Sequence, residues 1–98
     1  MKQDRLETYD LQTIPGIGPS MAADLVDLGI GRVRELLGRD PNAMYETLRT
    51  MRGGYMDRCV LYVFRCAVYF AETETPEADL LMWWNWKDRT HRNERIAA

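Results

Sequence analysis

Apolar residues recur along this chain at the three- and four-residue spacing of helices, and no stretch alternates as a half-buried strand would. Thr8 is placed to cap a short helix through Gln12, which Pro15 and Gly16 bring to an end. Pro19 suits the first turn of the next helix, where its missing N–H is no loss. Met21, Leu25 and Leu28 form that helix's inward stripe, Asp24 and Asp27 face away, and Gly29 stops it. Val33, Leu36 and Leu37 predict a third short helix, packed inward and ended by Gly38. Asp40-Pro41 is a cap followed by a proline start, with Met44, Leu48 and Met51 as the apolar stripe before Gly53-Gly54.

The longest helix is predicted from Asp57 to about Glu72. Its charges, Arg58, Arg65 and Glu72, recur every seven residues, so they share one narrow line. A helix with so thin a polar stripe belongs at the centre, wrapped by the others. Thr75-Pro76-Glu77 then starts a last helix through Trp83-Trp84-Asn85-Trp86, and residues 89–98 read as a frayed tail. The expectation is all-α: a compact bundle of about five or six short helices. It forms a single domain over 1–98, with an ordered core over about 8–88 and tails at 1–7 and 89–98.

Cysteine and charge placement sharpen this picture. Cys59 and Cys66 share the long helix roughly 10 Å apart along its axis, too far to pair, and read as packing residues in a reducing compartment. Met1–Asp10 is too polar for a secretory segment, and the apolar run Cys59–Phe64 is too short for a membrane span, so a cytoplasmic location is expected. The net charge of −2 is unevenly spread. Residues 32–65 carry seven arginines against four acids, whereas residues 66–88 carry Lys87 against five. A basic middle permits a polyanionic partner without requiring one.

The informative stretch is Ile14 to Ala22. Glycines on either side of an apolar residue allow a tight turn whose N–H groups converge, and the following helix start adds unpaired N–H groups and partial positive charge. Because Pro19 has no N–H, the donors would be Gly16, Gly18, Ser20 and Met21, with the Ser20 hydroxyl as an extra and Ile17 pinning the turn into the core. The alternative is an ordinary turn closing two helices. Asp24 and Asp27, on the Ser20 face of the helix, count against a polyanion.

Ile14-Pro15-Gly16-Ile17-Gly18-Pro19 followed by Ala22 resembles the helix-hairpin-helix motif of DNA polymerases, ligases and repair proteins, which grips DNA backbone without reading sequence. The resemblance implies a phosphate site at Gly16, Ile17, Gly18, Ser20 and Met21. It also implies a monovalent cation, potassium or sodium, on the carbonyls of Gln12, Ile14 and Ile17. Ser20 stands where many members carry lysine, which removes one phosphate contact. Together with "DRCVLYVFRCAVYF" and "WWNWKD", the motif is similar to a family of small bacterial helix-hairpin-helix proteins known as pathogenicity-locus or mitomycin-resistance proteins. That likeness covers about residues 8–88; it implies the fold closely and the function only loosely.

Two further features bear on function. Residues 44–72 read either as a second, degenerate hairpin, with Arg52 and Arg58 supplying charge to DNA, or as a glycine-ended helix and loop. Trp83, Trp84 and Trp86 read as core closure in acidic surroundings, with one left to solvent. Catalytic groupings are missing: Ser20 is the only serine and His91, in the tail, the only histidine. The expected function is therefore a non-enzymatic accessory domain binding duplex DNA weakly through its backbone. The competing reading is a protein–protein interaction module, such as a homodimer, with the same fold and no DNA affinity.

Overall fold

The computed structural model describes residues 10–95. Thr8, residues 1–7 and the last part of the expected tail lie outside the described residues. Helical residues Asp10 and Leu11 lead into α1 (Pro19–Asp27), α2 (Pro41–Met51) and α3 (Cys59–Glu72). Three 3₁₀ turns complete the order: Val33–Leu36 before α2, then Ala78–Leu81 and Trp83–Trp86 after α3. No strand occurs among the described residues. The fold is all-α and compact, with fewer full helices than the five or six expected. No helix among these residues is long and apolar enough to cross a membrane.

The shortfall has a physical cause. Residues i and i+3 of a 3₁₀ turn lie on one side, so Trp83 and Trp86 both turn inward while Trp84 stays 55% exposed. An α-helix would not superimpose them, and the backbone breaks into extended form at Met82 between the two turns. The same geometry corrects the third element: Val33 and Leu36 pack inward, but Leu37 follows the turn and is exposed. Met51, expected in the α2 stripe, is the last residue of that helix and is also exposed. At the other end of α2, Asp40 caps as expected, its carboxylate accepting from the N–H groups of Asn42 and Ala43.

The α3 helix is the centre, touching α2 and all three 3₁₀ turns. Leu61, Phe64 and Val68 face a core that includes Leu25, Leu36 and Leu48. Cys66 joins a second cluster with Leu80 and Trp86, bridged to the first by Tyr62 and Trp83. Burial pushes the Cys66 thiol up to about 11.

The polar stripe of α3 departs most from expectation. Arg65 and Glu72 are covered by residues 89–95, which are docked rather than frayed. Arg65 is 5% exposed, and its guanidinium donates to both oxygens of Glu94 at 2.6 and 3.0 Å and to the Trp86 carbonyl at 2.8 Å. Glu72 accepts from the Asn93 amide, the Gly38 N–H and Arg92. Arg95 N–H reaches the second Asp40 oxygen, so the cap of α2 also holds the returning chain. A charge line on a helix reads as solvated face; here it is a docking strip.

His91 is buried against this strip. Its Nδ1 accepts from the Asn93 N–H, which leaves the proton on Nε2, 3.5 Å from Glu72. Desolvation lowers its pKa and outweighs the attraction of Glu72. Burial would raise the Glu72 carboxyl, but Asn93, Gly38 and Arg92 together with His91 hold it below its ordinary value.

Two outcomes follow for stability. Trp86→Ala should cost about 3–5 kcal/mol in chemical denaturation. Trp84→Ala, which removes a ring that is 55% exposed, should stay within about 0.5 kcal/mol. The second outcome concerns pH. His91 binds its proton more tightly unfolded than folded, so its stabilisation is complete above about pH 6.5 and is lost as the pH falls toward its lowered folded value. The Glu72 contribution is lost only further down, below the ordinary carboxyl range. The melting temperature should therefore drop between about pH 7 and about pH 5, and His91→Gln should flatten that slope.

Candidate functional site

The turn from Gln12 to Gly18 is pinned from below. Leu11, Ile14 and Ile17, spaced by three, are all buried. Ile14 N–H donates to Leu11 O and Ile17 N–H to Ile14 O, winding the chain tightly before Gly16. Ile17 thus anchors the turn with its side chain, while its amide is already engaged. The two glycines differ. Gly16 has φ +86°, and a Cβ there would lie 3.2 Å from Cδ1 of Trp83. Gly18 has φ −97° and an extended ψ, and a Cβ there would meet nothing within 4 Å. One glycine serves conformation and packing; the other leaves open space over the start of α1.

The N–H groups of Gly16, Gly18, Ser20 and Met21 find no acceptor among the described residues. Gly18 occupies the cap position of α1 without a side chain to fill it, and the first turn carries no acid. The other two α-helices begin differently. Asp40 fills the start of α2 and Asp57 that of α3, where the Cys59 N–H donates to its carboxylate and lowers its pKa. A helix start that lacks its own carboxylate keeps its donors and its partial positive charge for a ligand.

Arg52 lies further along the same surface. Its Nη2 donates to Asp24 Oδ1 and to Asp27 Oδ2, both at 2.7 Å, and the two carboxylates raise its pKa, Asp27 foremost. The acids that the sequence sets against a polyanion are thus partly neutralised, and Arg52 is committed to them rather than free to reach a phosphate. Arg58 is exposed, its guanidinium 5.6 Å from the centre of the Tyr45 ring. The segment between α2 and α3 is not a copy of the first turn. Gly53 and Gly54 both have positive φ, Gly54 N–H closes the end of α2 on Arg49 O, and Asp57 plugs the next helix start.

The chain matches the Cdd1 family, described as pathogenicity locus, over residues 4–92. It belongs to that family. A mitomycin resistance protein, McrB, of Streptomyces lavendulae is 35% identical over 63 residues, covering 64% of this chain and 60% of the relative. No solved structure matches.

Within this pathogenicity-locus protein, the residue that sequence reasoning missed is Trp83, which supports the turn at Gly16. The signal was present in the i, i+3 spacing of Trp83 and Trp86, but it requires a 3₁₀ turn to be read. Around the same turn, the carbonyls of Gln12 and Ile17 accept no hydrogen bond among the described residues, and that of Ile14 accepts one. Neutral carbonyl oxygens suit a hard monovalent cation, which would add positive charge beside the turn.

The two glycines should respond oppositely to substitution. Gly16→Ala should cost about 1–2 kcal/mol from its left-handed backbone alone, with the Trp83 contact adding to that. Gly18→Ser should be neutral or stabilising by a few tenths of a kcal/mol, because serine is a favoured cap at that backbone geometry. Thermal and chemical denaturation of both variants would show whether the conformational demand rests on Gly16 alone.

Proposed function

We propose that this protein is a non-catalytic accessory domain that binds the backbone of duplex DNA weakly and without sequence preference. Contact is made through the Gly16–Met21 turn, which the helix-hairpin-helix resemblance also singles out. The observation that carries the reading is the set of four N–H groups on Gly16, Gly18, Ser20 and Met21 with no acceptor among the described residues, beneath the space that Gly18 leaves open. Such donors suit a phosphate oxygen, and their charge is partial rather than full, which suits modest affinity. Backbone contacts position a duplex without reading it. Arg52 contributes by holding Asp24 and Asp27 rather than by touching phosphate. A monovalent cation on Gln12, Ile14 and Ile17 would strengthen the same site.

The test sets stability against binding. An aspartate at position 18 would cap α1 with its own carboxylate, so Gly18→Asp should stabilise the fold by a few tenths of a kcal/mol or more while abolishing duplex binding. Fluorescence anisotropy with a labelled duplex should show wild-type affinity falling with salt at a log–log slope of roughly −2 to −4, alike for unrelated sequences. Absence of wild-type affinity even at low salt would overturn the reading in favour of a protein-docking role.

A further inference from the structure

Trp84 is the one tryptophan of its turn left more than half exposed. It is 55% exposed, and Met82, two residues before it, is 42% exposed. A tryptophan left in water is costly in apolar exposure, and this one is held in place rather than loose. Its turn is fixed by Trp86 Nε1 donating to Leu80 O and by the Asn85 amide donating to Asp79 O. Its ring meets that of Trp83 edge-on, with centroids 5.6 Å apart and planes at 82°. Trp83 in turn abuts Gly16, whose N–H is one of the four donors with no acceptor among the described residues. The exposed indole is therefore linked to the turn through one intervening ring.

Glu77, at the cap of the preceding 3₁₀ turn, and Asp79 within it are exposed, and these two acids disfavour phosphate there. What it can accept is the uncharged, flat part of a nucleotide. We infer that Trp84 is a stacking platform for an unpaired base of a strand whose backbone is held at the Gly16–Met21 turn. The preferred partner is then DNA with single-stranded character next to duplex, such as an overhang or a gap, rather than uninterrupted duplex. This inference rests on the backbone-binding reading above and narrows its substrate class. Base–aromatic stacking tolerates any sequence, which keeps the domain unspecific.

The experiment compares a blunt duplex with the same duplex carrying a short overhang, by anisotropy, for wild type, Trp84→Ala, Trp84→Phe and Gly18→Asp. Wild type should prefer the overhang by about tenfold, Trp84→Ala should lose that preference and keep its blunt-duplex affinity, and Trp84→Phe should retain most of it. Gly18→Asp should lose both substrates. Equal wild-type affinity for the two substrates, or an overhang preference that survives in Trp84→Ala, would overturn the inference. So would sedimentation showing a wild-type dimer that Trp84→Ala dissociates, which would make the indole a contact between copies. If Gly18→Asp abolishes blunt-duplex binding while Trp84→Ala changes nothing, the backbone reading stands and the stacking role falls. If wild type binds neither substrate, both fall.

Discussion

A guanidinium placed in the middle of the central helix of a 98-residue protein must be answered by a carboxylate, or the core around it cannot close. Arg65 is that group and Glu94 its answer, 29 residues away in sequence. Removing one partner of such a buried pair typically costs about 3–5 kcal/mol, because the other charge is stranded out of water. The pair therefore obliges the chain to return along α3 after the tryptophan turn. With Trp86 O also bonded to Arg65, the turn is drawn onto Cys66 and Leu80, and Trp83 is brought beneath Gly16. The shape of the proposed binding turn thus depends, through two tryptophans, on the Arg65–Glu94 ion pair.

The second organising constraint is where carboxylates meet helix starts. Asp40 and Asp57 satisfy the donors of α2 and α3 internally, and Asp40 uses its remaining oxygen to hold Arg95. The α1 helix receives no such group. Its nearby acids, Asp24 and Asp27, sit later along the helix and are drawn to Arg52. Carboxylates are spent on structure at two helix starts and withheld at the third, and that distinction separates scaffold from candidate site.

The elements that depend on local chemistry were legible in the sequence. Asp40-Pro41, Pro19, the glycine stops and the near-continuous apolar surface of α3 act within a few residues and read directly. Ile17, the core residue at the centre of the turn, was legible for the same reason. What could not be read were pairings across long separations. Arg65 and Glu72 looked like a solvated stripe because their partners lie in a polar stretch with no periodicity, and polar sequence normally signals disorder. Trp84 and Trp86 could not be ranked, because helical and 3₁₀ geometry send different residues inward. Arg52 reads from sequence as charge offered to DNA, and its link to Asp24 and Asp27 is hidden because it crosses more than 20 residues.

The two cysteines are chemically unequal in a way that composition hides. Cys59 is exposed at the start of α3, whereas Cys66 lies fully enclosed between Leu80 and Trp86, with its thiol at about 11. Thiol reagents attack the thiolate, so at neutral pH Cys66 is shielded twice, by protonation and by cover. It can be labelled only when the C-terminal segment lifts from α3. The rate at which a small alkylating reagent reaches the second thiol is thus a clock for that opening, read without any probe being introduced. The fold carries its own reporter beneath the tryptophan turn.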